Sequence, residues 1–120
     1  MANEIQVQAS LQASKNGVSV QNTGNKTHDM AGDQMLSNVQ IIGTSAEALV
    51  LGDVSTIGYV FLKNLDSVNF VQIALDSGVS TGIFAKIVAG GIALFPAATA
   101  TMYAKADTAN VNLLVQAVEL

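Results

Sequence analysis

The sequence predicts an all-β chain, a sandwich or small barrel of about eight short antiparallel strands. Three observations lead there. Apolar and polar residues alternate with period two along most of the chain, turn signals recur roughly every 8 to 12 residues, and no amphipathic helix longer than about two turns fits the i, i+3, i+4 spacing. A length of 120 residues fits a single domain, 1–120. Its expected layout is an N-terminal hairpin over 1–21, a loop-rich segment over 22–38 and the main strands over 39–120.

The first strand shows itself at once: Ile5, Val7, Ala9 and Leu11 alternate with Gln6, Gln8, Ser10 and Gln12. One face is apolar and the other carries amides and hydroxyls. Lys15-Asn16-Gly17 follows, and Asn-Gly favours a type I′ turn because both central residues need positive φ. Val18 and Val20, alternating with Ser19 and Gln21, return as a second strand, so residues 4–21 read as a hairpin. Residues 22–34 are polar and rich in turn formers, Asn22 to Lys26 and Ala31-Gly32-Asp33, and predict a long loop with at most a short strand near Met30.

Val39 to Ile42 reads as a short strand ending at Gly43, while Thr44 to Leu49 suits either a capped helical turn or an edge strand. Tyr59 to Leu62 and Phe70 to Leu75 flank the turn-rich Asn64-Leu65-Asp66-Ser67 and read as adjacent antiparallel strands. Ile83 to Val88 and Ile92 to Phe95 flank Gly90-Gly91 as a hairpin-compatible pair, with Pro96 stopping the second strand or leaving it at an edge. Thr101 to Lys105 is another short strand, and Asp107 to Asn110 turns the chain into the last one. There Val111, Leu113, Val115 and Ala117 alternate with Asn112, Leu114, Gln116 and Val118. Leu114 and Val118 make the second face partly apolar, which predicts cover on both sides.

Charge is scarce. Only 12% of residues are charged, against about 25% in ordinary soluble domains, while half are apolar and the mean hydropathy is +0.43. Such a chain either sits in a membrane or hides much of its outside against protein. The longest uncharged run, Ile87 to Ala104, is broken by Gly90-Gly91, Pro96, Thr99 and Thr101, which argues against a spanning helix of about 20 apolar residues. No membrane partner is expected. The start, Met1-Ala2-Asn3-Glu4-Ile5-Gln6, lacks a basic segment and an apolar stretch, so synthesis and residence in a cytoplasm are expected. Five lysines and no arginine against nine carboxylates, net charge -4, provide no clustered cations for phosphates, and no nucleic-acid partner is expected. Without cysteine there is no disulfide, thiolate metal site or thiol nucleophile. The neutral faces carrying Gln6, Gln8, Ser10, Gln12, Ser19 and Gln21 invite pairing with another chain, and oligomerisation is expected.

Few residues invite chemistry. Gly78-Val79-Ser80-Thr81-Gly82 matches the G-x-S-x-G nucleophile elbow, yet the only histidine, His28, precedes the serine and no strand-turn-helix unit surrounds it. A turn joining two strands is the ordinary explanation. His28-Asp29 with Asp33 has the ligand types of a divalent-metal site without any specific spacing, and reads as solvated loop. Asp53, Asp66, Asp76 and Asp107 each fall in a turn-like setting where a carboxylate caps backbone amides; a metal shared across subunits is the competing idea. Asn25-Lys26-Thr27 fits a glycosylation acceptor but reads as loop. Tyr59, Phe61, Phe70, Phe84, Phe95 and Tyr103 fall within alternating strands and are expected in the core rather than on a sugar-stacking platform. No pair of carboxylates is singled out for glycoside hydrolysis. The chain is expected not to be an enzyme, and no catalytic residue, metal or cofactor is assigned.

Four segments carry a resemblance: Gly58-Tyr59-Val60-Phe61-Leu62-Lys63-Asn64-Leu65-Asp66, Asn69-Phe70-Val71-Gln72-Ile73, Ala89-Gly90-Gly91-Ile92-Ala93-Leu94-Phe95-Pro96 and Met102-Tyr103-Ala104-Lys105-Ala106. Across residues 39–120 the chain resembles small virion proteins of tailed bacteriophages, in particular head decoration or cement proteins. The resemblance implies a β-sandwich of jelly-roll type that assembles, commonly as a homotrimer, on the outer surface of the head. Its partners would be itself and the major capsid protein, whose subunits it would bridge and clamp against the pressure of packaged DNA. It implies no catalytic or ligand residues. The same segments suit a phage tail or fibre module that binds a receptor or carbohydrate, the alternative expectation.

Overall fold

A computed structural model of the chain describes residues 4–30, 32–51, 54 and 57–119. Among them there is no helix, and ten strands form three antiparallel sheets. No helix long and apolar enough to cross a membrane occurs among the described residues.

Strands β1 (Ile5–Lys15) and β2 (Val18–His28) form a two-stranded sheet of their own. Asn16 at φ 53° and Gly17 at φ 80° close it, with Lys15 opposite Val18, the type I′ geometry the Asn-Gly pair predicts. The hairpin is longer than residues 4–21. Residues 22–28, expected to open a loop-rich segment running to 38, continue the ladder to the Ile5–His28 pair, and the next strand already starts at Met35. The physical reason is templating: the alternation of β1 offers a continuous row of backbone partners, and that outweighs the weak strand preference of Asn22, Gly24 and Asn25.

The other eight strands are β3 (Met35–Ile42), β4 (Glu47–Ala48), β5 (Ile57–Asn64), β6 (Val71–Ala74), β7 (Ile83–Ile87), β8 (Ile92–Pro96), β9 (Tyr103–Ala106) and β10 (Val111–Glu119). They form two four-stranded sheets, ordered β3-β10-β5-β8 and β4-β9-β6-β7. The segment around Glu47 is therefore an edge strand. From β3 onward each connection passes from one sheet to the other, except that joining β6 to β7.

Two expected neighbours are separated by this rule. β5 and β6 belong to different sheets, as do β7 and β8, although both links are rich in turn formers. Asn64 explains the separation. Fully buried at 0% exposure, its side chain donates to the Asn69 and Ile87 carbonyls at 2.9 and 3.0 Å and accepts from the Asp66 amide at 2.9 Å. Its backbone bonds Gly90 and Gly91. One residue thus joins the β5–β6 and β7–β8 connections where each leaves its sheet, and Gly90 at φ 74° supplies the sharp turn.

Most buried residues of the two four-stranded sheets form one cluster. Val60 and Leu62 of β5 and Val111, Leu113, Val115 and Ala117 of β10 meet Val71 and Ile73 of β6 and Ala104 and Ala106 of β9. The outward residues of β10 are only half covered at Leu114 and Val118, so the expected two-sided cover is partial. β1 and β2 contribute Ile5 alone to the buried set. The chain exposes 7239 Å², where a compact monomer of this mass exposes about 6,100 Å². Its radius of gyration is 15.4 Å against about 13.6 Å for a compact chain of this length. The hairpin accounts for both excesses: it is an arm.

Candidate interaction surface

Cross-strand register puts Ile5, Val7, Ala9, Leu11, Ala13 and Lys15 on one face of the arm with Val18, Val20, Asn22, Gly24, Lys26 and His28, so its apolar stripe runs along β1 and the start of β2 and is flanked by two lysines. Gln6, Gln8, Ser10, Gln12 and Ser14 lie on the other, with Ser19, Gln21, Thr23, Asn25 and Thr27. The apolar face is covered only at its root. Leu11 is 65% exposed and Val18 69%, whereas Ile5 and Val7 line an open cleft of about 810 Å³ against Tyr59, Leu94 and Val118.

That cleft is one end of a larger apolar face. On the outer side of the β3-β10-β5-β8 sheet the first cross-strand row is Met35, Val118, Tyr59, Pro96, followed by Ser37, Gln116, Phe61, Leu94 and then Val39, Leu114, Lys63, Ile92. Lys63 is the one charge among these twelve residues. Ile41 and Ile92 are more than 60% exposed, and contiguous uncovered apolar surface of this kind marks an interaction site. The outer side of the second sheet differs: Lys105, Gln72 and Lys86 stand in one row across β9, β6 and β7, and Lys86 Nζ lies 4.3 Å over the Phe70 ring.

The expectation that the aromatics build the core is overturned. On β5 the inward residues are Val60, Leu62 and Asn64, which leaves Tyr59, Phe61 and Lys63 outward. Both alternating sets are apolar, so period two alone could not choose between them. Of the six rings only Phe95 packs against the buried cluster, edge-on to Phe84 with centroids 5.6 Å apart. The rings do not gather into one platform.

His28 sits at the end of β2, its Nε2 2.8 Å from the Tyr59 hydroxyl. Among the described residues no three His, Asp or Glu side chains converge as metal ligands. Asn25, Lys26 and Thr27 belong to β2 instead of a loop. Ser80 lies in the loop between the paired strands β6 and β7, where its hydroxyl donates to Asp76 Oδ2 at 3.1 Å. The Gly82 and Ser80 amides donate to the same carboxylate. These bonds, the Gly82 amide foremost, hold the Asp76 carboxyl below the usual carboxylate range. Val79 takes φ 49° in this loop with its side chain buried, a costly conformation for a β-branched residue. The elbow motif is thus a carboxylate-tied turn. Asp66 is held low in the same way by the Asn69 and Val68 amides. Asp107 is exposed in the turn before β10, and Asp53 lies outside the described residues.

Sequence reasoning missed the outward apolar rows and the full length of the arm. The signal for the second was present in the unbroken alternation from Ile5 to Ala13. Compared with protein-family models, curated proteins and solved structures, the chain matches none.

Proposed function

We propose that the chain is a structural virion protein that decorates the outer surface of a bacteriophage head and stabilises it by bridging major capsid subunits, itself assembled as a homotrimer. The reading rests on one observation above the others: a hairpin of two eleven-residue strands stands out from the body with a single buried residue. A two-stranded ribbon is marginally stable alone in water, so an arm of this length makes physical sense when another protein surface completes it.

Supporting features agree with this reading. The two four-stranded antiparallel sheets, ordered β3-β10-β5-β8 and β4-β9-β6-β7, support reading the body as a β-sandwich of jelly-roll type, an architecture recurrent in viral capsids. The outer face of the first sheet is apolar and nearly uncharged, as a permanently covered surface would be. The polar groups described above serve turns and the arm root, so no chemistry is assigned, and the work of the protein is to hold neighbours together.

The test uses heads lacking the protein, from the virus whose genome encodes it. Purified chain should co-sediment with them and raise the temperature at which they release DNA. Absence of binding, with equal heat resistance of decorated and bare heads, would refute the proposal.

A further inference from the structure

We infer that the arm and the outer face of the β3-β10-β5-β8 sheet are the two halves of one self-association contact, in which the arm of one copy lies across that sheet of a second copy. The inference deepens the assembly part of the proposed function and rests on it for biological context, while its physical basis is separate.

The contact already exists in miniature within one chain. At the arm root Ile5 and Val7 face Tyr59 and Leu94 across one open cleft, and His28 bonds Tyr59. Past that root both surfaces continue uncovered: Leu11, Val18 and Val20 along the arm, Val39, Ile41 and Ile92 across the sheet. An eleven-residue strand is about 37 Å long, enough to cross a four-stranded sheet about 15 Å from first strand to last. Its apolar stripe matches the apolar sheet face, and each would cover the other.

Charge selects the second copy as the occupant. Residues 5–28 contain Lys15, Lys26 and no carboxylate, whereas all nine carboxylates of the chain lie outside the arm. Glu4 and Asp33 line the cleft at the edge of the sheet face, and the Glu119 carboxylate lies against Gly32 beside it. A cationic arm and an acidic rim on one molecule attract between copies and favour a fixed docking direction. Because arm and face are different surfaces, two copies can exchange arms reciprocally as a closed pair, or successive copies can dock head-to-tail and close into a ring when the rotation between them permits.

The test is absolute mass by size exclusion with light scattering on the full chain. Wild type should run at a multiple of 12.4 kDa, and an arm variant, Leu11→Asp with Val20→Asp, should run at 12.4 kDa. Two face variants at opposite margins, Ile41→Asp and Ile92→Asp, should do the same, so that one remains informative if the other disturbs folding. All these positions are exposed, and circular dichroism should report unchanged strand content. Mixing the arm variant with a face variant leaves one intact arm and one intact face, and should yield a species of twice 12.4 kDa. A monomeric wild type, variants that keep the wild-type mass, or a mixture that stays monomeric would each overturn the inference. Head binding by a monomeric wild type would sink this inference and the homotrimer while leaving head decoration standing; self-association without head binding would sink head decoration and leave this inference standing.

Discussion

The His28 imidazole and the Tyr59 hydroxyl meet at 2.8 Å with their rings tilted 48° at 5.3 Å, which fastens the end of β2 to the outer face of β5. Near this point the Glu4 carboxylate accepts the Met30 amide at 3.0 Å, a bond that holds its pKa below the usual range. The arm is therefore anchored at its root and uncovered beyond it.

Tyr59→Phe removes that bond and keeps the ring. A neutral hydrogen bond contributes about 1 kcal/mol, so the thermal midpoint of the body should move little, while amides of β1 and β2 exchange faster. Unchanged exchange in the arm would show that the bond does not anchor it.

Asn64→Leu strands the Ile87 and Asn69 carbonyls and the Asp66 amide around a buried apolar side chain. Leaving buried polar groups unpaired should cost about 3 kcal/mol, and chemical denaturation measures it directly. Loss below about 1 kcal/mol would mean that the two crossings hold without this residue.

Asp76 and Asp66 make stability depend on acid. Each is more acidic folded than unfolded because its ionised form accepts backbone amides, first from Gly82 and Asn69 respectively. That contribution is fully present above the unfolded value of about 3.9 and disappears as pH falls through the lower folded pKa. Asp76→Asn should flatten the stability profile below about pH 4, and Ser80→Ala, which removes one of several donors, should change it less. A profile identical to wild type in Asp76→Asn would contradict the assignment.

Gly17→Ala tests the arm's turn. A methyl at Gly17 meets nothing within 4 Å, so the cost is that of the backbone at φ 80°, about 1 kcal/mol. It should appear as faster exchange near Lys15 and Val18 in the self-associated state, with the body's melting temperature unchanged.

What the sequence discloses follows from the range of each interaction. The Asn16-Gly17 turn is legible because positive φ is a property of two residues, and β10 because Val111 to Ala117 alternate without interruption. The separation of β5 from β6 is not legible, since it depends on Asn64 reaching the Ile87 carbonyl 23 residues away. A buried asparagine among apolar neighbours even disguises which set of β5 faces inward. The extent of β2 is hidden for the opposite reason: Asn22 to Asn25 look like loop until β1 lies beside them. Of the interaction surface, the neutral composition is legible, whereas the rows from Met35 to Pro96 require four strands distant in sequence to be placed side by side.

The central claim is that the arm is incomplete without a partner surface, and amide hydrogen exchange of residues 9–24 tests it most directly. In dilute free protein these amides should exchange rapidly while those of β5 and β10 are protected, and they should become protected in the self-associated or head-bound state. Protection of the arm in the dilute monomer as strong as that of β5 and β10 would contradict the claim, because the hairpin would then be stable by itself.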